Sequence, residues 1–246
     1  MSVGAVAGSL GWQAFGLSVG RRYWAPGLLW VSGARLEVHG LKKLDRAHVC
    51  VLVANHQSMF DVVALQVALP ADLRFIAKTE LLRVPFLGAY LRTVGMICID
   101  RRNTAASVTR LQDLAKTIAT DHAFITAFIE GTRSRSGVIQ PFKKGAFMLA
   151  MAAKVPVVPI SITGAREILP ADSFKVRPGV VRIDIGDPIP TENLKPLDCG
   201  ALIEKARHAI TTMNVAAGGL GAGKAELGGC QSTAGAIELG HRGAPT

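Results

Sequence analysis

The stretch Asn55-His56-Gln57-Ser58-Met59-Phe60-Asp61 places an imidazole five residues before a carboxylate. Histidine is the side chain most used for general acid–base work, and a carboxylate beside it can orient the ring. On one uninterrupted helix, residues five apart point about 140° away from each other. His56 and Asp61 therefore meet only if His56 lies in a turn and the helix begins near Ser58. Ser58-Met59-Phe60-Asp61 fits the S-x-x-D capping pattern, which favours that start. The same fit lets Asp61 serve only as a cap that complements the helix dipole. A second polar cluster is Glu130-Gly131-Thr132-Arg133-Ser134-Arg135-Ser136-Gly137. Its hydroxyl and guanidinium donors suit a phosphate, and Gly131 permits close approach of a ligand. A solvated turn between strand and helix would read the same way. It is not a Walker loop, because no GxxxxGK[ST] is present.

Both clusters need strands to hold them. Val49 to Ala54 is a continuous apolar run and Phe124 to Ile129 an apolar one interrupted only by Thr126, the pattern of buried strands. Each cluster then sits at a strand's carboxyl end, where open α/β sheets bind ligands. If the two strands are parallel, general base and phosphate donors face one pocket. Further strands are expected at 35–39, 73–77, 94–99, 155–163 and 180–185, with His39 on a solvent face. Pro85 breaks the apolar segment 78–88. Pro156 and Pro159 place 155–163 at a strand start, an edge or a bulge. Helices are expected at 59–69, at 146–153, and after Asn103, where Val108, Leu111, Leu114 and Ile118 share a face. Asp198 caps a last helix that buries Leu202, Ile203, Ala206, Ala209 and Ile210. The fold class is α/β, a mixed central sheet flanked by helices.

The 246 residues suffice for one sizeable domain, and 49% are apolar. A net charge of +10 and a pI near 9.8 call for an anionic partner. Scattered basic residues, two tyrosines and no zinc-finger or RNP-like pattern argue against nucleic acid. Cys50, Cys98, Cys199 and Cys230 show no CxxC spacing, so they read as reduced, buried thiols of a cytoplasmic protein without a metal site. Trp12, Trp24 and Trp30 all fall in the first 30 residues, around Arg21, Arg22 and Tyr23. Aromatics beside arginines are the composition of a membrane interface, so residues 1–33 read as an N-terminal membrane-associating helical segment. Residues 34–214 form the α/β domain. Residues 215–246 are Gly/Ala-rich without periodicity and are expected to be disordered.

Taken together, the motifs resemble those of the 1-acylglycerol-3-phosphate acyltransferases and related glycerolipid acyltransferases. The NHxxxxD motif is matched by Asn55, His56 and Asp61. A second region runs from Lys78 through Arg101, with Glu80, Leu81, Pro85, Gly88 and Gly95 in order. FPEGTRS is matched at Phe128, Glu130, Gly131, Thr132, Arg133 and Ser134, and Val155 to Ile160 resembles the fourth motif. Ile129 stands where the family usually has proline, a departure that would loosen or reshape the loop. The resemblance implies transfer of an acyl group from acyl-CoA or acyl-carrier protein to the sn-2 hydroxyl of lysophosphatidic acid, with no resident cofactor. It makes His56 the base, oriented by Asp61. Glu130, Gly131, Thr132 and Arg133 would hold the acceptor, with Arg101 a second cation or else a solvent-facing charge. It also implies a location on the cytoplasmic face of a membrane, peripheral or N-terminally anchored.

Three other readings compete. A different lysolipid, such as a lyso-ornithine lipid or a lysophospholipid, would need the same base. A non-catalytic lipid-binding protein explains the charge and the tryptophans but gives no reason for His56 and Asp61 beside the EGTR turn. A thioester or lysolipid hydrolase would release free fatty acid without an acceptor-dependent product.

Overall fold

The computed structural model describes residues 15–46, 49–99, 114 and 124–222. Seven strands form one sheet: β1 (Arg35–His39), β2 (Val51–Ala54), β3 (Leu73–Lys78), β4 (Ile97–Ile99), β5 (Phe124–Phe128), β6 (Val157–Thr163) and β7 (Val180–Ile185). Their spatial order is β1-β7-β6-β2-β5-β3-β4. All neighbours are parallel except β6 and β7, so the sheet is mixed. Among the described residues, helices that accompany it include α1 (Ala25–Ser32), α2 (Phe60–Ala68), α3 (Leu87–Thr93), α4 (Gly145–Ala153), α5 (Ala165–Ile168) and α6 (Cys199–Ala216).

The four residues of β2 are all fully buried, as a strand covered on both faces must be. Leu52 and Ala54 enter one core with Phe60, Leu65, Ile160 and Ile183. Val51 and Val53 point the other way, into a second core with Ile125, Phe147, Leu149, Ile203 and Ile210. This alternation is the pleat expressing itself, and it explains why the run carries no polar residue.

The expected strands all form, with shifts at their ends. β4 starts at Ile97 rather than Val94, because Val94-Gly95-Met96 closes α3. Gly95 takes φ 67 and Met96 N–H returns to the Leu91 carbonyl, a left-handed helix stop. β6 is an interior strand, not an edge. Pro159 fits there because the antiparallel ladder with β7 begins one residue later, at Ile160 and Ile185, while the Pro159 carbonyl accepts Gly186 N–H at 2.8 Å. The short α5 and the loop that follows it were not expected. Cys50, Cys98 and Cys199 are buried, and burial pushes the Cys50 thiol up to about 12. His39 is exposed as expected. In α6, Leu202, Ile203, Ala206 and Ile210 are buried, and Ala209 is half-buried.

The Gly/Ala-rich stretch begins with eight described residues. α6 runs to Ala216, Gly221 N–H bonds the Asn214 side chain, and Ala222 bridges to Ile139. The rest of that stretch, residues 1–14 with Trp12, Cys230, and the segment of Arg101 and Asn103 lie outside the described residues. Leu114, from the helix expected there, is helical.

Residues 15–32 are helical, with a π turn at Gly20–Trp24. Pro26 accounts for the interruption, since it has no N–H to give the carbonyl four residues earlier. Ala25 N–H reaches back to Gly20 O instead. Gly16-Leu17-Ser18-Val19-Gly20 has the GxSxG spelling of a nucleophile elbow. It lies inside this helix, not at a strand-to-helix turn, so it lacks the required geometry. Among the described residues, no helix is long and apolar enough to cross a membrane.

Candidate active site

The site grows from the parallel pairing of β2 with β5, in which Ala54 is opposite Phe128. Two residues beyond that pair lie His56, past the end of β2, and Glu130, past the end of β5. The turn between β2 and α2 carries His56 outside the helix, and α2 starts at Phe60. His56 Nδ1 lies 2.8 Å from Asp61 Oδ2. Asp61 is fully buried, whereas the His56 side chain is 12% exposed, so one edge of the imidazole reaches the surface. An ionised carboxylate only accepts hydrogen bonds, so it fixes the proton on Nδ1 and leaves Nε2 free as a base.

The capping pattern and the dyad are one arrangement. Asp61 Oδ2 also accepts the backbone N–H groups of Gln57 at 2.7 Å and Ser58 at 2.8 Å. Ser58 Oγ accepts Phe60 N–H at 3.0 Å and donates to the Leu169 carbonyl at 2.6 Å. The carboxylate thus caps the helix and holds the ring with the same oxygen, so the two readings of Asp61 do not exclude each other.

The second cluster folds directly onto the first. Glu130 Oε1 accepts His56 N–H at 2.6 Å, and Oε2 accepts Gln140 N–H at 2.7 Å. Ser134 N–H donates to the His56 carbonyl at 2.7 Å. The backbone of His56 is therefore clamped on both sides by the loop that contains Arg133. Both Glu130 oxygens serve backbone amides, which makes Glu130 a brace between the two loops. Burial pushes its carboxyl up to about 7; the two amide hydrogen bonds oppose the shift and the Asp61 charge adds to it.

Gly131, at φ 82, turns the chain after β5. Thr132 and Arg133 are exposed. Glu130, Gly131, Thr132, Gln140, Pro141 and Lys143 line a pocket of about 220 Å³. Arg135 instead pairs with Asp172 at 3.1 Å, on the surface. Ile129 is buried, donates its N–H to the Ala54 carbonyl at 3.1 Å and accepts Lys143 N–H at 2.7 Å. The Ile129 N–H, which a proline would lack, ties the loop to β2.

The motifs named Asn55 and Phe128, but their contacts, and the parts played by Gln57 and Lys143, were not found from sequence. The Asn55 side chain makes two 2.8 Å bonds to the Ile162 backbone. Phe128 stacks on His56 with ring centroids 4.0 Å apart, and Phe75 lies against Phe128 in turn. Gln57 Nε2 donates to the Gly137 carbonyl at 3.0 Å. Lys143 adds a cation beside the Gly131-Thr132 turn. The apolar-to-polar switch after β5 pointed to this loop, but nothing local marked its distant partners.

Comparison with known proteins agrees with this architecture. The family model described as Acyltransferase matches residues 35–163, from the first residue of β1 to the last of β6. The 1-acyl-sn-glycerol-3-phosphate acyltransferase alpha of Ovis aries is 35% identical over 181 residues, covering 74% of this chain and 63% of that protein. The beta enzyme of Homo sapiens is 33% identical, with 73% and 65% covered. The chain thus spans a little under two thirds of the length of these curated relatives. The crystal structure of the 1-acyl-sn-glycerophosphate (LPA) acyltransferase PlsC from Thermotoga maritima superposes with a TM-score of 0.61 at 24% identity, covering 83% of this chain and 92% of that one. That likeness establishes a common fold. With the family match spanning both clusters, the chain belongs to the Acyltransferase family.

Proposed function

We propose that this protein transfers a fatty acyl group from a thioester, acyl-CoA or acyl-carrier protein, to the sn-2 hydroxyl of 1-acylglycerol-3-phosphate, giving phosphatidic acid. The observation that carries the reading is the His56–Asp61 dyad clamped to the Glu130–Ser134 loop. His56 Nε2 takes the acceptor's hydroxyl proton as that oxygen attacks the thioester carbonyl. The new C–O bond forms, the C–S bond breaks, and the imidazolium returns its proton to the departing thiolate. Asp61 keeps the ring in the required tautomer and stabilises the transient imidazolium. No enzyme nucleophile and no resident cofactor take part; the acyl donor enters as a co-substrate.

Arg133 and Thr132, exposed beside the 220 Å³ pocket, supply phosphate donors, and Lys143 adds a cation. Gly131 lets the backbone approach the acceptor. Glu130 contributes by positioning His56 and the loop. Arg101 is the remaining cationic group assigned to the acceptor. Residues 1–33 serve as the membrane-contacting segment, peripheral or N-terminally anchored on the cytoplasmic face, and 34–214 as the catalytic domain. The exposure of Tyr23, Trp24, Trp30 and Val31 supports that contact.

The test is thiol release from acyl-CoA by purified protein, with and without lysophosphatidic acid, in wild type and His56→Ala. Acceptor-dependent release that His56→Ala loses is expected. Release independent of acceptor would indicate a hydrolase instead, and full turnover in His56→Ala would remove the base. Replacing lysophosphatidic acid with a lysolipid lacking the phosphate monoester tests the acceptor class.

A further inference from the structure

Between a 3₁₀ helix at Thr79–Arg83 and α3, the chain turns through Val84, Pro85 and Phe86. Phe86 holds φ 61 and ψ −50, close to the angles of the rare and strained γ-turn. For a bulky side chain a positive φ is an outlier. The angles persist because the turn is pinned on several sides. Gly88 N–H donates to the Val84 carbonyl at 2.8 Å, Tyr90 N–H to the Phe86 carbonyl at 2.9 Å, and Arg92 Nη2 to the Leu82 carbonyl at 3.1 Å. A Cβ on Gly88 would collide with the Leu82 carbonyl, so the two arms of the turn press together there. The ring is held out from the protein, 92% exposed. In water such a residue is penalised twice, once through its backbone and once through its ring. Strain of this kind collects at sites that meet a ligand.

The surroundings of the ring say what it meets. Leu81, Val84 and Tyr90 are exposed on the same segment. Lys78, Arg83 and Arg92 are exposed there too, against one acid, Glu80. An apolar patch rimmed by cations suits an anionic bilayer surface. A second element extends the patch. Gly16 and Gly20, about one helical turn apart, abut this segment: a Cβ on Gly16 would lie 2.8 Å from Val94 Cγ1, and one on Gly20 would lie 2.8 Å from Tyr90 Oη. On the adjoining face of that helix Phe15, Val19 and Tyr23 recur every four residues, all of them exposed. We propose that the turn at Phe86 is a second membrane-inserting element, its ring entering the apolar part of the bilayer while Arg83 and Arg92 meet lipid phosphates. The proposal rests on the reading that this protein works at a bilayer. It places a contact outside residues 1–33 and involves no step of acyl transfer.

The experiment is partition of the full chain onto vesicles of equimolar phosphatidylcholine and phosphatidylglycerol, for wild type, Phe86→Asn, Phe86→Trp and Trp30→Ser. None of these substitutions changes the charge, so the comparison isolates the apolar contribution. Asparagine tolerates a positive φ, so Phe86→Asn removes the ring without loosening the turn. It should weaken partition by about tenfold, the worth of burying part of a phenyl side chain. Its melting temperature in lipid-free buffer should not fall. Phe86→Trp should keep the wild-type partition, because indole favours the bilayer interface. A purely structural role for the ring would not separate lipid partition from stability in this way. Trp30→Ser reports separately on the contact made by residues 1–33. Loss in Phe86→Asn with Trp30→Ser unaffected would support this element and sink that earlier contact. Wild-type partition in Phe86→Asn would overturn the proposal, whatever Trp30→Ser does. A lower melting temperature in Phe86→Asn would also overturn it, by showing the ring packed on its own chain. So would a change of mass in lipid-free sedimentation, which would make the face a contact between copies of this chain.

Discussion

Glu130 Oε1 accepts the backbone N–H of His56 at 2.6 Å, so the carboxylate of one motif holds the main chain of the other. Its second oxygen holds Gln140 N–H at 2.7 Å. Burial raises the Glu130 carboxyl from its ordinary value to about 7. A carboxyl raised in the folded state favours folding most at low pH, and its contribution is lost as pH rises through the folded value. Between about pH 4.5 and about pH 7, the stability of wild type relative to Glu130→Gln should therefore fall, by a few kcal/mol at most. Chemical denaturation across that interval measures it, and a difference that grows with pH would contradict the assignment. Glu130→Gln should also be less stable at low pH, because its amide turns a donor toward a buried N–H and costs about 1–3 kcal/mol.

Asp61→Asn separates charge from geometry. Asp61 Oδ1 has no hydrogen-bond partner among the described residues, while Oδ2 takes three bonds. An asparagine can put its oxygen at the Oδ2 position and its NH₂ at the vacant one. The fold should persist, and turnover should drop by about 10²–10⁴-fold, as for loss of general-base function. Steady-state thiol release together with a melting curve decides it. Unfolding of the variant, or near-normal kcat, would refute this division of roles.

Arg133→Ala should act on acceptor binding. A charge-assisted hydrogen bond is worth about 1.5–3 kcal/mol, or roughly 10- to 100-fold in KM for lysophosphatidic acid. KM for the thioester should stay level. Arg133→Lys should recover only part of the loss, since a point charge cannot reproduce a planar fork. A kcat effect without a KM effect would move Arg133 out of the phosphate role.

Ile129→Pro restores the residue that the family motif usually carries and should destabilise this protein. The substitution deletes the N–H bonded to Ala54 O at 3.1 Å and strands a carbonyl beside the fully buried Ala54. The expected cost is about 1–3 kcal/mol. Equilibrium unfolding is the check, and an unchanged midpoint would mean that the tie carries no load.

Phe86→Gly should do the reverse. Phe86 holds φ 61 and ψ −50 and is 92% exposed, between Pro85 and α3. A non-glycine residue there stores about 1–3 kcal/mol, against about 0.5–1 kcal/mol lost to glycine's freedom in the unfolded chain. A net gain near 1 kcal/mol in unfolding free energy is expected from these terms. A loss would show that the ring, although exposed, is packed in solution.

Much of the scaffold was legible because burial writes a continuous signal. Val51 to Ala54 is apolar throughout and Phe124 to Phe128 is apolar but for the buried Thr126, since both faces of each strand are covered. His56 and Asp61 were legible together because the capping pattern fixes where the helix starts. The brace role of Glu130 was not, because its partner lies 74 residues away. The stacking of Phe128 on His56 was hidden for the same reason: strand pairing, which no local pattern encodes, creates it. Pro159 misled because a proline argues for an edge, and only the change of partner beside it makes an interior place tolerable.

The Asn55 amide completes a gap in the sheet. Past Ala54 the main chain leaves β6, and the carboxamide supplies both a donor and an acceptor to Ile162 in its place. Neither a hydrocarbon nor a carboxylate can offer that pair, so the position should accept almost no substitution, even though it touches no substrate. It also acts as a frame check during folding. If β2 slid by one residue along β6, the amide would miss its partners and the imidazole would turn away from the cleft, so a chain in the wrong frame would lose stability and catalytic geometry together.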